Sequence, residues 1–262
     1  MMAEAISIIY EEPHFLLVNK PAGLFSQAAP GVPSLETQLI EQIKVRDEHP
    51  GRPFIGLPHR LDRATSGIML IARNKRALTR FGEQFQSRKV NKFYLALVEG
   101  ELPAGIQLWE DYVRKITDQP QAEIVEPQAE QAKQAQMLIQ SICFHQGQTL
   151  ALIQLLTGRM HQIRVQAARR GFPVVGDALY AAQGTFGPTS TDSDDPRQLP
   201  HALHALRLEF RHPQTARAVS YTARPPLAWR SLVSELQSAV DELVARSDAE
   251  QAQSWQFAAS PQ

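Results

Sequence analysis

His59-Arg60-Leu61-Asp62-Arg63-Ala64-Thr65-Ser66-Gly67, followed by Ile68-Met69-Leu70-Ile71-Ala72, decides how this chain is to be read. The apolar run after Gly67 has no polar alternation, which is the pattern of a strand buried on both faces. A loop holding Pro50, Gly51, Pro53, Gly56 and Pro58 delivers the chain to His59. Asp62 therefore stands at the mouth of an interior strand, between Arg60 and Arg63. A carboxylate in that setting is ionised at neutral pH and available as a nucleophile or base. The alternative is a structural ion pair at the strand entrance.

Upstream, Phe15 to Asn19 reads as a strand ending at the turn Lys20-Pro21-Ala22-Gly23. Ser34 is placed to cap a helix to Val45 with Leu35, Leu39, Ile40 and Ile43 on one face. Downstream, Asn74 can cap a helix to about Arg88, with Ala77, Leu78, Phe81 and Phe85 inward. Lys92 to Val98 alternates as a strand, which puts Tyr94 on the face opposite Phe93. Residues 119–136, rich in Gln, Ala and Glu, read as an exposed connection. Met137 to Phe144 and Thr149 to Leu156 form a candidate hairpin that leads into Thr157-Gly158-Arg159-Met160-His161-Gln162-Ile163-Arg164-Val165. A helix from about His161 to Arg170 follows, then a polar loop over 184–199, expected to be mobile. Strands at Ala205 to Phe210 and Ala218 to Thr222 precede a helical segment near Trp229 to Ala245. The sum is a mixed α/β (α+β) sheet protein. Its expected division is a catalytic body over 1–230 and a helical extension with a loose tail over 231–262.

Lys and Arg balance Asp and Glu at 27 each, so the net charge gives no overall pull toward a polyanion. The distribution differs from the total. Ten basic residues lie between Arg52 and Lys92 against the two acids Asp62 and Glu83, a local surplus compatible with a nucleic acid on one face. No run of about 18 apolar residues and no secretory leader is visible, so a soluble, cytoplasmic protein is expected. The single cysteine, Cys143, lies between Ile142 and Phe144 and suits a buried strand thiol better than a nucleophile. The histidines lack metal-ligand spacing, His201 and His204 included, and no metal is expected.

The stretch from His59 to Gly67 resembles the His-Arg-Leu-Asp-x-x-Thr-Ser-Gly signature of RluA-type RNA pseudouridine synthases. Val18-Asn19-Lys20-Pro21-Ala22-Gly23 resembles that family's first motif, Lys92-Phe93-Tyr94 its tyrosine motif, and Thr157 through Val165 its third, all in family order. The resemblance implies the pseudouridine synthase catalytic fold, a largely antiparallel sheet flanked by helices and loops with the active-site cleft across it. It implies isomerisation of uridine in structured RNA, tRNA or rRNA, with no cofactor. It makes Asp62, Tyr94 and Arg164 catalytic: the essential aspartate, a tyrosine against the target base, and an arginine paired with the aspartate. Arg60, His59, Lys20, Pro21, Arg159, His161 and Gln162 become substrate-binding candidates, with Lys20 and Pro21 supporting the pocket wall.

Two residues depart from the family's third motif. Met160 stands where a small hydroxyl is usual and Gln166 where a histidine is usual. No room is seen for an S4-like RNA-binding domain before the first motif, so recognition is expected to fall to the catalytic body, acting as a monomer without an obligate protein partner. A catalytically inactive RNA-binding or RNA-folding protein of the same fold is the alternative. A glycoside hydrolase is disfavoured, because none of the four motifs offers Asp62 a second carboxylate.

Overall fold

The computed structural model describes residues 5–48, 50–187, 200–232 and 234–249. The chain runs through β1 (Ser7–Glu11), β2 (Phe15–Lys20), α1 (Leu35–Arg46), β3 (Ser66–Ala72), α2 (Lys75–Gln86), β4 (Asn91–Glu99), β5 (Ile106–Lys115) and β6 (Ala122–Val125). It continues through β7 (Lys133–His145), β8 (Gln148–Leu155), α3 (Gln162–Arg169), β9 (Leu203–Arg211), β10 (Ala218–Thr222) and α4 (Ser234–Ala249). The described strands make one sheet in the order β1-β2-β3-β9-β4-β8-β7-β5-β6, with β10 also on β9. Of these pairings only β3 with β9 is parallel. The fold is the mixed α+β, largely antiparallel sheet anticipated above.

Local chemistry explains where the first two helices start. Ser34 accepts from the Thr37 amide while the Thr37 hydroxyl accepts from the Ser34 amide, a reciprocal cap that starts α1. Asn74 accepts from the Ala77 amide at 2.8 Å and starts α2. β3 is buried along its whole length, as its uninterrupted apolar run requires. Cys143 is a half-buried free thiol on β7, beside a register shift against β8.

Residues 119–136 differ from expectation. They hold β6 and the start of β7, which pair with β5 to form a three-stranded arm. The Gln and Glu composition masks strands because over 119–136 the arm buries little apolar side chain: Ala122 and Ala135 pack with Val113 of β5 and Val165 of α3. At the other end α4 lies against β7 and β10, with Leu236, Val240, Leu243 and Val244 in the main core. Of the loop read at 184–199, residues 188–199 lie outside the described residues, as does the tail beyond 249. Among the described residues no helix is long and apolar enough to cross a membrane.

The seam between β3 and β9 fixes the centre. Only Ser66 with His204 and Gly67 with Ala205 pair there. Gly67 has φ +121°, and a Cβ on it would lie 2.2 Å from the Ala205 carbonyl oxygen. Two side-chain bonds flank this approach. The Ser66 hydroxyl meets His204 Nδ1 at 2.9 Å, and the Thr65 hydroxyl meets His201 Nε2 at 3.2 Å. His204 Nε2 donates to the Ala223 carbonyl at 2.9 Å. Burial pushes both histidines down to about 4, so each is a neutral imidazole at neutral pH.

Gly67→Ala is expected to cost more than about 4 kcal/mol, because backbone atoms rather than a flexible side chain occupy the space. A urea-unfolding midpoint within error of wild type would refute that close approach. The histidines also set a pH dependence. The unfolded chain takes up these protons near the ordinary value of about 6.5, whereas the folded chain resists until about 4. Their contribution is thus complete above about 6.5 and is lost as pH falls toward 4, on the order of 3 kcal/mol for each buried ring. Denaturation midpoints at pH 7.5 and 4.5 should show the drop, and His204→Gln should shrink it. An unchanged slope in that variant would count against the assignment.

Candidate active site

Asp62 is held by its neighbours on both sides. The Ser26 hydroxyl donates to the Leu61 carbonyl at 2.7 Å and accepts from the Leu61 amide at 3.0 Å. On the other side the Gly23 amide donates to the Arg63 carbonyl at 2.8 Å, and Arg63 Nε returns a bond to the Gly23 carbonyl at 2.9 Å. Lys20 secures the same loop from behind. Its fully buried ammonium donates to the carbonyls of Pro21, Leu24 and Arg63 at 2.8, 2.7 and 3.1 Å. Burial pulls its pKa down to about 7, with Asp62 acting in the opposite direction. Lys20 and Pro21 thus brace the segment that carries Asp62, and neither lines the cleft.

The cleft in front of Asp62 measures about 700 Å³, within the roughly 300–1,000 Å³ of small-ligand sites. An adjoining hollow of about 800 Å³ shares Arg60, Asp62, Met160, His161 and Arg164 with it. Arg60 is exposed at the junction of the two. Tyr94, on β4, is buried in the cleft wall. Burial chiefly, and the Asp62 carboxylate secondarily, raise its pKa, so the ring presents a neutral phenol. That state suits stacking and hydrogen-bond donation better than proton abstraction.

Arg164 and His161 reach Asp62 from α3. The helix begins one residue later than the sequence suggests, because His161 takes a left-handed backbone conformation (φ 51°) at the cap position. Arg164 Nη1 lies 3.4 Å from Asp62 Oδ2 and His161 Nε2 lies 3.7 Å from it. Burial lowers the His161 pKa, with Asp62 opposing. The closest partner of Arg164 is a residue that sequence reasoning missed. Asp177 takes Arg164 Nε at 2.5 Å and Nη2 at 2.8 Å, a bidentate pair with both side chains almost fully buried. Burial is the largest influence on the guanidinium and lowers its pKa; Asp177 and Asp62 outweigh it, and the pKa ends above the ordinary value. Tyr180, also missed, lies under the guanidinium at 4.9 Å. Its hydroxyl meets His161 Nδ1 at 2.9 Å and the backbone of Ala122 on the arm. The legible signal was Gly176: a Cβ there would lie 2.5 Å from the Pro200 carbonyl oxygen, at φ +85°, immediately before Asp177.

The remaining candidates take distinct places. His59 stacks on Phe85 at 4.5 Å and accepts from the Leu70 amide at 2.9 Å, and burial drives it down to about 3, so it is a neutral wall. Gln162 is buried and committed: its carbonyl oxygen accepts from the Thr157 hydroxyl and the Arg159 amide, and its amide donates to the Gln136 carbonyl. It shapes the turn more than it faces a ligand. Arg159 lines the cleft and donates Nε to the Gln134 carbonyl at 2.9 Å. Met160 packs onto the arm's small apolar cluster. Gln166 donates to Asp111 at 2.6 Å, tying α3 to β5. The basic stretch between Arg52 and Lys92 divides. Arg60, Arg88 and Lys92 face the cleft, but Arg73 pairs with Glu11 at 2.7 Å and Arg80 with the Pro213 carbonyl, because β3 and α2 carry the chain away from it. Among the described residues no group of three or more His, Cys, Asp or Glu is placed to hold a metal.

A family model described as RNA pseudouridylate synthase matches residues 14–169. The ribosomal large subunit pseudouridine synthase D of Xylella fastidiosa is 35% identical over 228 residues, covering 84% of this chain and 66% of that protein. The dual-specificity RNA pseudouridine synthase RluA of Vibrio vulnificus is 36% identical over 218 residues, 79% of this chain and 78% of that one. Human RNA pseudouridylate synthase domain containing 1 superposes with TM-score 0.66 at 26% identity, covering 93% and 95% of the two chains. The chain belongs to the RNA pseudouridylate synthase family, within its RluA group. It spans about two thirds of the length of several of the curated relatives it matches.

Asp177→Ala should leave the Arg164 guanidinium buried beside the distant Asp62 alone, at a cost of about 3–5 kcal/mol. Thermal unfolding tests it. A loss below about 1 kcal/mol would place the pair among weak surface bridges instead.

Proposed function

We propose that this chain isomerises uridine to pseudouridine in structured RNA, with Asp62 as the catalytic carboxylate. The observation that carries the reading is Asp62 Oδ2 in an open cleft, 3.4 Å from an arginine already anchored on a second carboxylate, with the Tyr94 phenol in the same wall. In this reading the uridine leaves its stack, at a cost of about a few kcal/mol that binding contacts offset. The base lies against Tyr94, and Arg60 at the junction of the two hollows fills the space vacated beside it. The N1–C1′ bond breaks, the base turns, and C5 bonds to C1′; the proton lost from C5 is balanced by one gained at N1. Asp62 serves as nucleophile toward the nucleotide or as base toward the sugar. Arg164 is a positioning residue that orients the carboxylate.

Asp177 does not turn this site into that of a glycoside hydrolase. Such chemistry needs a second carboxyl group facing the scissile bond, and both Asp177 oxygens are occupied by Arg164 in a buried pair. The relatives' names favour large-subunit ribosomal RNA as the substrate class, with transfer RNA as the alternative outcome of mapping. We read the enzyme as a cytoplasmic monomer that needs no cofactor or protein partner.

Position-resolved pseudouridine mapping of total RNA, from cells with and without the gene, should show one or a few sites restored by wild type and not by Asp62→Ala. A map unchanged by deletion of the gene would favour the inactive RNA-binding alternative. Arg164→Lys keeps a charge but cannot span Asp177 and Asp62 together, and turnover at the mapped site should fall about 100-fold. Full activity in that variant would remove Arg164 from the positioning role.

A further inference from the structure

The cleft is also lined by three cations away from the Asp62–Arg164 contact. Arg88 follows α2, Lys92 is the second residue of β4, and Arg159 stands in the turn before α3, so three separate elements converge on it. The groups feel one another. After burial, the main influences depressing Lys92 to about 8 are Arg88 and Arg159, and Arg88 likewise acts on Arg159. Asp62 is not among the groups acting on either, whereas it acts on Tyr94, His161, Arg164 and His201. Arg88 and Arg159 thus act on Lys92 more than Asp62 does.

Among the described residues none of the three cations has a carboxylate partner. Lys92 Nζ makes one long bond, 3.3 Å to the Thr157 carbonyl. Arg159 spends only Nε, on the Gln134 carbonyl. Space is left in front of the ammonium, since residue 158 is a glycine whose Cβ, if present, would lie 3.5 Å from Lys92 Nζ. His59 beside them is neutral and adds no charge. Lys92 and Arg159 are half-buried and Arg88 is exposed; cations that repel one another and lack a counter-charge are stabilised by an arriving anion, and guanidinium forks match phosphate oxygens.

Resting on the reading of RNA as substrate, we propose that Arg88, Lys92 and Arg159 form a phosphate subsite that grips a backbone phosphodiester near the flipped uridine. The uridine lies at Asp62 and the phosphate at the three cations, so the subsite sets which way the strand runs through the cleft.

The test uses the RNA stem-loop around the mapped uridine, synthesised with one neutral methylphosphonate linkage at a time on either side. One linkage should raise KM and the dissociation constant about tenfold in wild type, with kcat within about twofold. The same linkage should add nothing further in Lys92→Met or in the exposed-site variant Arg88→Gln, and each variant should reduce the salt slope of binding by about 0.7–0.9. Penalties from linkage and variant that multiply at every position would overturn the subsite. Inorganic phosphate that inhibits wild type beyond matched chloride and spares Lys92→Met, while no linkage is coupled to that variant, would assign the cations to free phosphate and also overturn it. Failure of the isomerase reading shows separately, as no pseudouridine from wild type on unmodified RNA, while the binding series still reads the coupling.

Discussion

Everything in the catalytic half depends on how closely two backbones approach at Gly67 and Ala205. β3 and β9 run parallel for two residue pairs only, and the contact leaves no volume for a side chain. Because β9 also pairs with β4, that contact leaves one strand, β9, between β3 and the strand carrying Tyr94. The segment entering β3 carries Asp62, so one missing Cβ determines how far the carboxylate stands from the tyrosine wall. The Ser66–His204 and Thr65–His201 bonds keep the seam from sliding, and they do so with uncharged rings that need no counter-ion in the interior.

Around that seam the protein positions one carboxylate through its neighbours rather than through its own side chain. Leu61 and Arg63 are fixed by backbone and hydroxyl bonds, leaving the Asp62 side chain half-exposed to the cleft. Arg164 approaches from the opposite side on a helix that is itself tied down three ways. Gln162 locks its first turn, Gln166 and Arg170 both reach Asp111, and Arg170 lies 4.7 Å from the Trp109 ring centre. The arm formed by β5 to β7 thus connects to the reacting end of the cleft, through α3 and through Tyr180 on Ala122.

Much of this was legible in the chain because the informative residues were of restricted type. Ser34 and Asn74 announce helix starts by their chemistry, the apolar run after Gly67 can only be interior, and Asp62 stands out as a lone acid in a basic stretch. The stretch 119–136 of the arm was not legible, because it buries little more than Ala122 and Ala135 while glutamine and glutamate dominate its composition. Lys20 and Pro21 read as supports of the pocket wall, and the Lys20 ammonium sits behind it on three backbone carbonyls; which carbonyls it meets depends on how the side chain turns after the strand ends. Asp177 escaped notice for a different reason. An aspartate after glycine resembles any turn residue until the fold brings α3 against it, so only Gly176 carried a local trace of the constraint.

The pairing of Arg164 with Asp177 also governs how this site can change over generations. Either residue replaced alone leaves an uncompensated charge sealed in the interior, while both replaced together need not. The two positions, separated by a turn and a loop, are therefore inherited as a single character: descendants keep both or exchange both. Asp62, in contact with solvent and only loosely held by Arg164, is free of that bond, and its persistence in a lineage reports selection on chemistry rather than on folding.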